Sequence, residues 1–134
     1  MKNLVTLKRN LLKSALFISL SAISIFANAS VNTVKPVSFT AVVNNTNTNR
    51  VDLKWSTETE TNLSHFIVER SMDGTNFSDA ALVFAYGNTN AKSDYAFADN
   101  ISKIKSGVMY YRVSAVGSDG KTQSSDIMVI RTNK

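Results

Sequence analysis

Val51–Gly74 reads VDLKWSTETETNLSHFIVERSMDG, and its patterning carries the fold. In the first six residues Val51, Leu53 and Trp55 alternate with Asp52, Lys54 and Ser56. Successive side chains of an extended chain point to opposite faces, so this period of two places three apolar groups on one face of a strand. The period stops at Thr57, and TETETNLS through Ser64 is expected as a connecting loop with Glu58 and Glu60 as solvated charges. Alternation resumes with Phe66 and Val68 against Ile67 and Glu69 and ends at Arg70-Ser71. Asp73-Gly74 then marks a turn, because glycine reaches positive φ freely and aspartate bonds its own backbone.

The same punctuation continues outward in both directions. Upstream, Val37, Phe39 and Ala41 alternate with Ser38 and Thr40 as a first strand, followed by the polar loop Asn44–Asn49. Downstream, Phe77 and Ala80–Tyr86 form a fourth strand with Gly87–Asn90 as its exit. Tyr95 and Phe97 share one face of a fifth strand at Asp94–Ala98. Met109, Tyr111, Val113 and Ala115 line a sixth, which leaves Tyr110, Arg112 and Ser114 on its other face. Gly117–Lys121 turns into a seventh strand, Ser125–Arg131. Short strands at regular spacing, with no amphipathic helix between them, predict an all-β fold: a seven-stranded antiparallel β-sandwich of immunoglobulin-like kind spanning 37–134. Trp55, Tyr95, Phe97 and Tyr111 are expected in its core, and Tyr86 and Tyr110 on its surface.

The first 29 residues have a different character. Lys2, Lys8, Arg9 and Lys13 precede the apolar run Ser14–Phe26, and Ala27-Asn28-Ala29 supplies a small-x-small cleavage site. Residues 1–29 therefore read as a signal-peptide helix removed after Ala29, with 30–36 as an extended leader. The run is too short and Ser-rich to span a bilayer, so no stable membrane span is expected after cleavage. Localisation is expected to be exported: periplasmic, cell-surface or secreted.

Charge and composition narrow the function classes. The formal charge of +5 falls to about +1 once the four basic residues of the leader are removed, leaving eleven against ten acidic ones. So small an excess excludes a phosphate-binding footprint, and no nucleic-acid partner is expected. The absence of cysteine removes disulfides, thiolate metal sites and a cysteine nucleophile.

Leu53–Phe77 resembles the fibronectin type III-like domains of secreted and cell-surface proteins of Bacteroidetes. The residues that carry the resemblance are Trp55, Thr57, Glu60, Asn62, Phe66, Val68, Glu69, Arg70, Ser71, Asp73, Gly74 and Phe77. It resumes at Tyr110-Tyr111-Arg112-Val113 and at Asp119-Gly120-Lys121. The resemblance implies type III topology, with the lone Trp on the second strand, and a role in spacing, adhesion or protein interaction, with no catalytic residues to carry over.

Read residue by residue, the chain offers little chemistry. His65 lacks a second histidine or a cysteine nearby, and Asp73-Gly74 and Asp119-Gly120 lack the alternating ligands of a calcium loop. No catalytic set, metal site or cofactor is expected. The expected function is a non-enzymatic module that binds an unknown protein or surface component through loops on a rigid frame. Glu58, Glu60 and Asn62 in one loop and Tyr86 and Asn88 in another are the candidate binding residues. A carbohydrate-binding accessory domain, and last a small hydrolase gathering His65 with Glu58 or Asp126, are the alternatives.

Overall fold

The computed structural model describes residues 34–105 and 107–133, all within the compact unit Val31–Lys134. The expected signal-peptide helix at 1–29, and residues 30–33 of the leader, lie outside the described residues. Among the described residues the fold is all-β, with eight strands and no helix, and so none long and apolar enough to cross a membrane. The strands are β1 (Ser38–Val43), β2 (Arg50–Thr57), β3 (Leu63–Ser71), β4 (Phe77–Phe84), β5 (Ser93–Asn100), β6 (Gly107–Gly117), β7 (Thr122–Ser124) and β8 (Met128–Thr132).

All pairings are antiparallel. One sheet runs β1-β2-β5; the other runs β4-β3-β6, with β7 and β8 both paired to β6. The period-two faces predicted from sequence become the contact between the sheets. Val51, Leu53, Trp55 and Tyr95 from the first sheet meet Phe66, Val68, Met109, Tyr111, Val113 and Ala115 from the second in one buried cluster. Phe97 is half-buried at its margin, whereas Val37, expected to share a face with Phe39, is exposed before β1 begins.

The expected seven strands are corrected to eight: the predicted seventh, Ser125–Arg131, starts in a break at 125–127, with β7 before it and only its second half in β8. Ser125 is the cause. Its N–H donates to the Val113 carbonyl at 2.8 Å, but the Val113 N–H donates to the Ser125 hydroxyl oxygen at 3.0 Å instead of to a carbonyl. A side chain has taken one ladder position, the hydroxyl donates onward to the Asp126 carbonyl, and the strand divides around it. The expected loop Thr57–Ser64 is likewise shorter: Thr57 completes β2, and Leu63 and Ser64 open β3.

At the centre of the interface Trp55 lies parallel to Tyr95, centroids 5.6 Å apart, and meets Phe66 edge-on at 5.5 Å. Trp55 belongs to β2, Tyr95 to β5 and Phe66 to β3, so this cluster joins the two sheets. Replacing Trp55 by Ala should therefore destabilise the domain by about 3–5 kcal/mol, measured by denaturant unfolding. An unchanged midpoint would mean the indole is not a core group.

Candidate functional site

Three loops meet at one end of the fold, and main-chain bonds join them. The β2–β3 loop and the β4–β5 loop form a two-residue bridge: Glu60 N–H donates to the Thr89 carbonyl at 2.8 Å and Thr89 N–H to the Glu60 carbonyl at 2.9 Å. Asn62 N–H donates to Asn88 Oδ1 at 2.8 Å. Asn62 itself is left-handed, with φ 55°, a conformation asparagine tolerates better than most residues. Its carbonyl accepts both the N–H and the hydroxyl of Ser118, at 2.8 and 3.1 Å, which fastens the β6–β7 turn to the same point. That turn is closed by the Gly117 N–H to Lys121 carbonyl bond and by Gly120 at φ +79°.

Beneath the loops lies a buried carboxyl group. Glu60, expected as a solvated charge, is instead 1% exposed. The Thr57 hydroxyl donates to its Oε1 at 2.7 Å and the Tyr95 hydroxyl donates to the same oxygen at 2.6 Å. Tyr95 also accepts the Tyr86 N–H, so one phenol links the core, the β2–β3 loop and the start of the β4–β5 loop. Burial, with the bond to Glu60, pushes the Tyr95 phenol up to about 12. The expectation failed at Glu60 because its partners are the threonine that ends β2 and a tyrosine in β5, the latter a long-range contact that no local pattern encodes.

A second buried carboxylate sits farther along β5. Asp99 accepts the Tyr111 hydroxyl at 2.7 Å and pairs with the Arg70 guanidinium, so two side chains of one sheet grip a carboxylate of the other. Burial raises the pKa of Tyr111, reinforced by its bond to Asp99. Burial works against the Arg70 charge, but the hydrogen bond to Asp99 and the attraction of its charge together outweigh it and raise the Arg70 pKa.

The candidate residues can now be placed. Glu58, Asn62 and Asn88 are exposed on the three-loop end, Glu60 is buried under it, and Tyr86 stands at its flank, 75% exposed. One Tyr86 face packs on Tyr95 with ring centroids 4.7 Å apart, and its hydroxyl donates to the Asp94 carbonyl. Tyr110, expected exposed, is half-buried; a Cβ on Gly74 would come within 3.2 Å of its ring, so the β3–β4 turn folds closely over it. The exposed aromatic missed by sequence reasoning is Phe84, 76% exposed at the end of β4. The Ser118–Lys121 turn was missed as a member of the site as well; its Asp-Gly pair was legible only as a turn.

His65 and Asp126 are not brought together. His65 faces Phe84 and Val116 across β3 with its Nδ1 on its own neighbour Ser64, while Asp126 pairs with Lys35 on the far side of β6. Among the described residues no group of three or more histidine, aspartate or glutamate side chains is placed to hold a metal ion.

No protein-family model matches the chain, and no curated protein matches it. A solved pectate lyase from Pectobacterium carotovorum is similar at 17% identity and a TM-score of 0.47, over 76% of this chain and 27% of that one. The chain thus spans about a quarter of that protein's length.

Glu60 offers a test of the loop architecture. Glu60→Ala removes the acceptor of two buried hydroxyls, and each left unpaired should cost about 1–3 kcal/mol. The amides of Thr89 and Asn62 should also exchange faster with solvent. Full stability and unchanged exchange would show that the carboxyl group does not brace the loops.

Proposed function

We propose that the chain is the precursor of an exported, non-enzymatic, fibronectin type III-like module that serves protein interaction, adhesion or spacing at the cell envelope. In this reading its three-loop end engages a protein or surface component. One observation carries the proposal: three loops from both sheets are locked to one another by main-chain and side-chain bonds, and together they present a cluster of exposed polar groups. A surface already ordered loses little conformational entropy on binding, so its contacts count more fully towards affinity. Glu58, Thr61, Asn88, Ser118, Asp119 and Lys121 are its exposed polar groups.

Type III topology is supported by Trp55 on the second strand and by the order β1-β2-β5 against β4-β3-β6-β7. Export is supported by the basic, apolar and small-residue segments of 1–29. Carbohydrate binding is favoured by a different observation. A hollow of about 540 Å³ on the outer face of the three-stranded sheet is lined by Thr40, Lys54, Asp94 and the exposed Tyr86.

Two measurements follow. N-terminal sequencing of the exported product should begin at Ser30; a product that retains Met1 would defeat the signal-peptide reading. Affinity capture from envelope and secreted fractions should retain a specific protein, lost when Glu58, Asn88 and Lys121 are replaced together by Ala. Capture that survives the triple substitution rejects the three-loop site, and retention on polysaccharide alone selects the carbohydrate reading.

A further inference from the structure

β4 is built inside out. Its inward-facing residues over the flat part of the strand and its exit are small, Ala81, Val83 and Ala85, all only partly buried against the core. The large side chains face solvent: Leu82 is 53%, Phe84 76% and Tyr86 75% exposed. From Ala80 to Tyr86 the sequence AALVFAY carries no charge. β4 is also an edge strand, paired only with β3, and residues 77–84 make no main-chain bond to any other element among the described residues. Soluble proteins ordinarily guard such an edge with charge, proline or brevity. Here Asp79 and the irregularity at Ala80, where the register with β3 shifts, stand at one end and leave 81–85 open.

Elsewhere on the strand the protein does cover an aromatic. The Arg112 guanidinium lies over the Phe77 ring, 4.2 Å from its centroid, and is held there by two bonds to Glu69. Phe84 has no such cover; its neighbour across β3 is His65, and Leu82 stands beside the half-exposed Ile67.

We infer that the open edge of β4 is a self-association surface, on which a second copy of this chain pairs antiparallel through Ala81–Ala85 about a two-fold axis at Val83. Edge chemistry and charge select this occupant. A free strand edge is complementary to another extended strand, and an uncharged run meets its own copy without repulsion. With Val83 opposite Val83, Leu82 falls opposite Phe84 of the second copy on the outer face, and Ala81 opposite Ala85. Asp79 falls opposite Gly87, so no like charges face each other. Apolar cross-strand pairs of this kind stabilise antiparallel sheets.

The area fits a weak dimer. Phe84, three-quarters exposed, and Leu82, half exposed, leave roughly 250 Å² of side chain per copy, given the roughly 150–250 Å² that an aromatic can bury. With the main chain of both strands the total is about 700 Å², in the range of weak, transient interfaces. The pairing would join the β4-β3-β6 sheets of two copies edge to edge. It does not use the three-loop end, so the two surfaces stand or fall separately.

The chain contains no cysteine, which makes the test clean. The full chain carrying Val83→Cys, exported by a bacterial host and treated with copper–phenanthroline, should run as a disulfide-linked dimer on a non-reducing gel. Residues directly opposite each other across antiparallel strands come within reach of a disulfide. Val42→Cys, exposed on the edge strand β1 of the other sheet, should stay monomeric under the same treatment. Adding Leu82→Lys and Phe84→Lys to Val83→Cys should abolish the cross-link without lowering the melting temperature, since both side chains already face solvent. The inference is overturned if Val83→Cys remains monomeric, if Val42→Cys cross-links as efficiently, or if the lysine variant still cross-links.

Discussion

The contact on which the rest of this fold depends is the three-ring cluster of Trp55, Tyr95 and Phe66. It joins β2 and β5 of one sheet to β3 of the other, and it does more than exclude water. Because Tyr95 is stacked on Trp55, its hydroxyl can point in only one direction, and that direction meets Glu60. The position of Glu60 in turn sets the β2–β3 loop against Thr89, and Asn62, two residues on, collects Asn88 and Ser118. Core packing thus reaches the loop surface through one phenol and one carboxyl group. The loops are held because they are bonded to the packed core.

The Asp99 cluster holds the same sheets together by other means. Arg70 and Tyr111 both reach across to Asp99, so the carboxylate is paired and hydrogen-bonded where it is buried. Burying a charge is costly, and a buried pair often contributes little net stability compared with apolar groups of the same size. Its geometry is nevertheless demanding, and it admits only one alignment of β5 with β3 and β6. The aromatic cluster supplies attraction between the sheets, while Asp99 restricts how they can slide.

Much of this was legible in the sequence, for identifiable reasons. The period-two faces of Val51-Leu53-Trp55 and Met109-Tyr111-Val113-Ala115 predicted the buried set directly, because a strand with one wet face must alternate. The same parity places Arg70 in step with Phe66 and Val68, and Asp99 in step with Tyr95 and Phe97. Two opposite charges on inward-facing parity were therefore a visible sign of a buried ion pair. Glu60 gave no such sign, since parity has no meaning in a loop. Ser125 was also hidden: a serine within an apolar strand looks like an ordinary outward residue, and only its hydroxyl's replacement of a carbonyl reveals the break. The β4 inversion escaped notice because alanine, valine, leucine and phenylalanine all count as apolar, so a reading by polarity cannot distinguish a large face from a small one.

Size therefore matters as much as polarity in deciding what a strand is for. In β2, β3 and β6 the side chains of the buried cluster turn inward, and that cluster includes neither Leu82 nor Phe84. The orientation of the sheets is set by the ring cluster and by Asp99, neither of which includes a β4 residue. β4 is thus held by its main-chain ladder to β3 and by a row of small inward side chains, and among the described residues Leu82 and Phe84 stay outside the core cluster. A reading by polarity alone passes over this inversion, whereas the sizes of Leu82 and Phe84 set against Ala81 and Val83 reveal it.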